Sequence, residues 1–189
     1  ILSILGEMPI YISNSEVTKS GMKYAKKGEI GYVGQQPLIF SGTVKSNILA
    51  GKNFDKKRFG YALKYSCLEK DIEIWENGID QNVKQNGSNL SGGQKSRLAF
   101  ARALYSEPDM LVLDDLTSAL DPATTEFVLK ETIGRVLKGK TVIMSTNDMS
   151  VLKFADYIYY FEDGKVVTEG SFQKIQSTEL WKKQQELLD

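Results

Sequence analysis

Residues Asn89 to Asp121 read NLSGGQKSRLAFARALYSEPDMLVLDDLTSALD, and they decide the fold. Leu90-Ser91-Gly92-Gly93-Gln94 opens an amphipathic helix. Met110 to Leu113 forms a short apolar strand that ends in two carboxylates, Asp114 and Asp115, and Ser118 to Asp121 leads into a second helix. Each device has a phosphate-chemistry reading. Two glycines behind a serine bare backbone N–H groups at a helix N-terminus, where the macrodipole favours an anion. A carboxylate just past an apolar strand, here Asp114, is how nucleotide-hydrolysing folds hold Mg2+, directly or through water.

Taken singly, each device is weak: a Ser-Gly-Gly is often a loop, and Asp-Asp after a strand is often a solvated turn. In this order and at this spacing, coincidence is a poor explanation. LSGGQ followed by LVLDD and SALD resembles the nucleotide-binding domain of the ATP-binding-cassette (ABC) family, over nearly the whole chain. The resemblance implies an α/β fold, a P-loop NTPase (RecA-like) core with a largely parallel sheet plus an inserted helical subdomain. It divides the chain into a core of residues 1–40 and 105–189 and a helical subdomain, residues 41–104, that carries the signature motif. It implies ATP and Mg2+ as cofactors, with Asp114 and Gln35 toward the metal and Ser91, Gly92, Gly93, Gln94 and Asp121 toward nucleotide. Asp115, Asn147 and Gln35 fall toward the hydrolytic step. The implied partners are a second nucleotide-binding domain and the transmembrane domains of the same transporter, on the cytosolic face of a membrane.

Composition sets the outer bounds. A chain of 189 residues is long enough for one domain with a real core, because a domain near this size buries about 70% of its unfolded surface. Lys+Arg and Asp+Glu both number 24, so no basic face for nucleic acid is indicated. The single cysteine, Cys67, has no internal partner and lies in a helix-like run; it reads as a structural thiol of a cytosolic chain. No apolar run approaches the ~18 residues needed to span a bilayer, so any membrane part of the protein lies outside this sequence. The chain has no histidine, which excludes His-based metal sites, Ser-His-Asp arrangements and an imidazole general base.

The start of the chain and a false motif bear on the phosphate site. Ile1 to Glu7 carries apolar residues at helical spacing with Gly6 to stop them. In the ABC family this is the helix directly after the phosphate-binding loop, which is therefore expected before Ile1, together with the aromatic residue that stacks on adenine. The N-terminus is accordingly expected to be truncated, and the isolated chain inactive. Gly134-Arg135-Val136-Leu137-Lys138-Gly139-Lys140-Thr141 matches the phosphate-loop pattern letter for letter. Its context is wrong, since such a loop must follow a strand and open a helix. This one follows the helix predicted at Pro122–Lys138 and leads into the strand predicted at Thr141–Thr146.

Elsewhere the chain alternates strands and helices, which favours a largely parallel sheet. Residues 10–28 read as connections around short strands, and Glu29 to Val33 as a strand ended by Gly34-Gln35-Gln36-Pro37. The family places a glutamine at Gln35 that reaches Mg2+ and the attacking water, a role an amide oxygen suits. In the helical insertion Thr43 can cap VKSNIL, Asp55 can cap KKRFGYALKYS, and Leu68 to Trp75 continues in helical period. Phe40-Ser41-Gly42-Thr43-Val44 with Asn47-Ile48-Leu49 resembles the exporter pattern. Cys67 to Asp71 with Asn77-Gly78 is similar to subfamily C, which includes multidrug-resistance proteins and the cystic fibrosis chloride channel. Asp121-Pro122 is an N-cap with proline at N1. Tyr157–Phe161 and Lys165–Thr168 flank Glu162-Asp163-Gly164 as a hairpin, and Ser171 to Leu188 reads as a closing helical region.

Two positions depart from the family. The carboxylate after the metal-binding aspartate is usually glutamate, and here it is Asp115. One methylene less withdraws it by roughly 1.5 Å, and misplacement on the order of 1 Å can cost ~10²-fold. A histidine usually follows the Thr141–Thr146 strand, and here Asn147 stands there, able to hydrogen-bond but not to carry charge. Leu116 replaces a common proline. The first of two nucleotide-binding domains in subfamily C often departs at the first two positions while keeping LSGGQ, and this chain resembles that first domain. The resemblance thus implies an ATPase domain that drives transmembrane export, with its own site slow and its signature completing the partner's site. Ser91 and the N–H groups around Gly93 are expected to face the partner's γ-phosphate, so that an acidic group at Gly93 would block it. Two rival functions share these motifs: a soluble non-transport ABC ATPase, disfavoured by the short insertion, and an ATP-gated regulatory module of a channel.

Overall fold

The computed structural model describes residues 28–186. The helix expected at Ile1–Glu7 and, but for Gly28, the connections expected at residues 10–28 lie outside them. The described residues form two compact units that divide between Asn147 and Asp148. Among them no helix is long and apolar enough to cross a membrane.

The first unit is built on three parallel strands, β1 (Ile30–Val33), β4 (Met110–Asp114) and β5 (Thr141–Ser145), with β4 in the centre. Register runs Val33 to Leu113 and Leu113 to Met144, so all three strands end at one level. Leu111, Val112 and Leu113 are at most 1% exposed, as a central strand covered on both faces demands. The sequence placed Asp114 just past the strand; it is the last strand residue, paired with Ser145.

Between β1 and β4 lies a mainly helical stretch: α1 (Val44–Leu49), α2 (Lys56–Tyr65), α3 (Glu69–Ile74) and α4 (Gly92–Tyr105). The expected caps are in place. Thr43 accepts from Ser46 N at 3.0 Å and Asp55 accepts from Arg58 N at 2.8 Å, each satisfying a donor orphaned at a helix start. A short antiparallel pair that the sequence did not reveal, β2 (Gly42–Thr43) with β3 (Asn82–Val83), closes the stretch on itself. Cys67 departs from the helical reading. It takes φ 60° between α2 and α3, where Leu68 N donates to Leu63 O at 3.0 Å and Cys67 N to Lys64 O at 3.1 Å. This is the paired-bond helix terminus that usually carries glycine, and burial pushes the Cys67 thiol up.

Helix α4 is the spine of the unit, and α1 and α2 both pack on it. Leu98, Ala101, Leu104 and Tyr105 are fully buried or nearly so, in one core with Val33, Leu111 and Leu113 of the sheet. Arg102 on α4 ties down the segment that follows Gln35. Its guanidinium donates to Leu38 O at 2.7 Å, Asn47 O at 2.7 Å and Asn47 Oδ1 at 2.9 Å. Asn47 in turn donates to Phe40 O and accepts from Phe40 N. Burial pushes the Arg102 guanidinium down, the cost of placing a cation among carbonyls inside the fold.

After β4 a tight turn, Leu116–Ala119, leads to α5 (Pro122–Phe127), capped by Asp121. Helical winding continues through Val128–Val136 in the wider π form, with Leu137 N donating to Thr132 O at 2.8 Å. The segment ends two residues before the predicted Lys138, and Gly139 at φ 89° turns the chain into β5.

The second unit is small. Strands β6 (Ile158–Glu162) and β7 (Lys165–Gly170) form the expected hairpin across Asp163-Gly164, both at positive φ, the two-residue turn that matches strand twist. Helices α6 (Phe172–Gln176), capped by Ser171, and α7 (Glu179–Glu186) follow, and Ile158, Ile175 and Trp181 form its core.

Candidate functional site

The carboxyl ends of the three parallel strands gather the residues that the sequence set apart. In open α/β sheets this edge is where ligands bind. Asp114 ends β4, and its Oδ1 accepts a 2.5 Å hydrogen bond from Ser145 Oγ at the end of β5. Asp115 follows at φ 53°, a conformation that turns the chain sharply off the strand. Its backbone N–H donates to Ser145 O at 3.1 Å and Ser145 Oγ at 3.2 Å. Gln35, just past β1, donates through Nε2 to Asp115 Oδ2 at 3.4 Å. Asn147, two residues beyond β5, is exposed. Tyr32 lies on β1 beside this edge; partial burial, and then the charge of Asp114, push its phenol up.

The signature turn is a second, separately held feature. Ser91 is the N-cap of α4 and accepts from Gln94 N at 3.2 Å, while Gln94 Oε1 accepts from Ser91 N at 2.9 Å. This reciprocal box satisfies two of the four donors a helix start leaves open. The N–H groups of Gly92 and Gly93 remain. The two glycines differ in their surroundings. A Cβ at Gly92 would meet nothing within 4 Å, whereas one at Gly93 would lie 2.9 Å from Ala119 O and 3.1 Å from an Arg97 nitrogen. Gly93 is therefore a packing position as well as part of the signature, and Gly92 is the open one.

Asp121 lies beyond the same turn, at the start of α5. It accepts from Thr124 N at 3.0 Å and Thr124 Oγ1 at 2.6 Å, and these bonds hold its carboxyl below the usual carboxylate range. First contact between α4 and the Leu116–Ala119 turn thus places the signature, the turn after the carboxylates and the Asp121 cap in one neighbourhood.

Residues 5–118 match the family described as ABC transporter. The chain belongs to that family. Its relatives include the vacuolar heme ABC transmembrane exporter abc3 of Schizosaccharomyces pombe, 40% identical over 150 residues that make up 78% of this chain and 10% of the relative. Mouse ATP-binding cassette sub-family C member 4 is 38% identical over 90% of this chain and 12% of its own length. ABC transporter C family member 12 of Dictyostelium discoideum is 37% identical over 82% of this chain and 12% of its own. The chain thus spans about a tenth of the length of these curated relatives. Among solved structures, a bacterial Atm1-family ABC exporter with ATP bound superposes with a TM-score of 0.76 at 30% identity, over 82% of this chain and 28% of that one. The chain is an ABC nucleotide-binding domain of the subfamily C type, with a P-loop NTPase fold.

In this ABC domain the false phosphate-loop motif is structurally unsuited to phosphate. Gly134 lies inside the helical segment and Lys140 stands just before β5, its ammonium 3.8 Å from Asp109, which precedes β4 at its amino-terminal end. Two contributors escaped the sequence reading. Ser145 braces the Asp114 carboxylate and the Asp115 backbone N–H, and its only signal is that it pairs with Asp114 across the sheet. Asp71 and Arg97 stand behind the signature turn, and nothing local in the sequence announces that pairing.

A metal must be judged by the donors present. Among the described residues no cluster of three or more His, Cys, Asp or Glu stands ready to cage an ion. Mg2+ is usually held by one or two carboxylates together with substrate phosphates and water. Asp114 and the Gln35 amide are hard oxygen donors of that sort.

Proposed function

We propose that this ABC domain is one of two nucleotide-binding halves of a membrane exporter and the first, degenerate half, on the cytosolic face. ATP binds between the halves, and this half lends its signature turn to the partner's site. The observation that carries the reading is the meeting of Gln35, Asp114, Asp115 and Ser145 at one sheet edge, apart from an intact, capped signature turn. The exporters among its relatives support the transport half of the proposal.

Each residue has a defined task on this reading. Ser145 holds one oxygen of Asp114 and leaves the other for a cation, with the Gln35 amide as the second donor. Mg2+ held by these residues would supply neutralisation of phosphate charge. Asp115 is the group placed to polarise water, but its carboxylate is one methylene short and engages the Gln35 amide. Asn147 can donate a hydrogen bond but adds no positive charge. Both shortfalls fall on the transition state, so the own site turns over slowly. On the signature turn, the N–H groups of Gly92 and Gly93 and the hydroxyl of Ser91 are the donors offered to the partner's nucleotide. The isolated chain completes neither site and hydrolyses no ATP.

The test uses the full-length protein. Asp115→Glu with Asn147→His should raise turnover at this domain's own site by up to ~10²-fold, the scale of a misplaced group restored. Vanadate trapping with a photoreactive nucleotide locates the gain. A double variant no faster at that site than its parent removes the degenerate-half assignment.

A further inference from the structure

The geometry points to Asp71 as a positioning residue that sets the signature turn, a role resting on the reading of that turn given above. Asp71 sits in the first turn of α3, 7% exposed. Its carboxylate accepts three hydrogen bonds, all from α4: Arg97 Nε at 2.9 Å, Arg97 Nη2 at 3.1 Å and Gln94 Nε2 at 3.1 Å. A buried carboxylate has to be paired and bonded to be tolerated, and Arg97 alone would meet that need with its two-pronged contact. The bond to Gln94 does something else. With its Nε2 held by Asp71, the Gln94 amide presents Oε1 to Ser91 N–H. Asp71 thereby fixes which donors of the helix start are consumed by the cap and leaves the Gly92 and Gly93 N–H groups as the available pair.

The second arm acts through Arg97. Both of its contacts to Asp71 orient the guanidinium so that its remaining nitrogen, Nη1, stands 3.1 Å from where a Cβ of Gly93 would lie, while the Ala119 carbonyl stands 2.9 Å away on the same glycine. Gly93 is thus held between Arg97 and the turn that follows Asp115. Asp71 is the only group that touches both Gln94 and Arg97 among the described hydrogen bonds. Loss of its charge frees the amide and the guanidinium together, and the donor pair loses its fixed direction.

Asp71→Asn in the full-length protein tests this, with Glu69→Gln, exposed on the same helix, as the control. Asparagine keeps one acceptor oxygen but turns an N–H2 toward the Arg97 donors. ATP turnover is expected to fall by about 10- to 100-fold, mainly in kcat, with the amides of Gly92, Gly93 and Gln94 exchanging hydrogen faster than in the parent; Glu69→Gln behaves as the parent. Should Asp71→Asn fail to fold, Asp71→Leu with Arg97→Met replaces the pair by apolar groups of similar volume, a change buried pairs often tolerate. Amide exchange alone is then read, because Arg97 itself adjoins Gly93. Parent-like exchange at Gly92 to Gln94 in whichever variant folds overturns the assignment. A Gly92→Asp variant run alongside separates the two claims: full turnover there removes the functional reading of the signature, while exchange still decides the role of Asp71.

Discussion

At the carboxyl ends of β1 and β4, Gln35 meets Asp115 through one 3.4 Å hydrogen bond from an exposed side chain. At the start of α4, Ser91 and Gln94 are locked to each other, and Gln94 and Arg97 are locked to a buried aspartate by bonds of 2.9 to 3.1 Å. The resemblance to the ABC pattern sets its two hydrolytic departures, Asp115 and Asn147, in the first region and none in the second. On the proposed account this difference has a cause. A group that acts on the partner's nucleotide must be held rigidly without help from its own site, because preorganised donors are what a transition state rewards. A site that has lost the reach of its carboxylate gains little from rigidity.

The strongest way to sharpen the comparison is through the two glycines of the signature, which the structure gives different work. Gly93→Ala pushes a methyl into the Ala119 carbonyl at 2.9 Å and should destabilise the domain by about 1–3 kcal/mol, the usual cost of overpacking. Gly92→Ala meets open space and should change stability by no more than about 1 kcal/mol, in the stabilising direction if at all. Denaturant melts of the two variants check this. Equal losses at both positions would mean that the α4 start does not pack on the Leu116–Ala119 turn as described.

A smaller effect belongs to Asp121, whose bonds to Thr124 cap α5 beside that turn. Asp121→Ala should cost about 1 kcal/mol, as lost caps do. The sign of its pH dependence follows from its lowered folded pKa. The carboxylate's contribution is fully present above the unfolded value of about 3.9 and is lost as pH falls through the lower folded value. Acid melts of the parent and of Asp121→Asn should therefore converge at the low end. The smallest effect is none: Lys140→Ala, in the false phosphate loop, should leave nucleotide affinity of the full-length protein unchanged by calorimetry. A large loss there would revive a motif that the fold sets at the wrong end of β4.

Much of this arrangement is legible in the residues because the physics is local. Ser91 and Gln94 sit three apart, which is the capping box itself, and Thr43, Asp55 and Asp121 announce their helices in the same way. The apolar run before Asp114 reads as a buried strand, and Asp163-Gly164 as a tight hairpin turn. What stayed hidden depends on distance in the chain. Asp71 and Arg97 lie on different helices, and Ser145 reaches Asp114 only once β5 is paired with β4. Cys67 hid for another reason: its αL terminus normally shows itself through glycine, and a cysteine there reads as one more helical residue. The different duties of Gly92 and Gly93 likewise follow from the carbonyl of Ala119, which no local pattern brings near.

The central claim is that this domain lends more to its partner's site than it performs at its own. Gly92→Asp and Asp115→Asn, made in the same full-length protein at saturating ATP, test it with nucleotide occlusion measured at each site. The acidic side chain at Gly92 enters open space at the start of α4, where its charge would repel phosphate, and loss of even one donor there costs about 10²–10³ in rate. Gly92→Asp should nearly abolish turnover and empty the partner's site of trapped nucleotide, whereas Asp115→Asn should cost far less and leave that site loaded. Turnover stopped by Asp115→Asn and spared by Gly92→Asp would contradict the account and make this domain a working catalytic half.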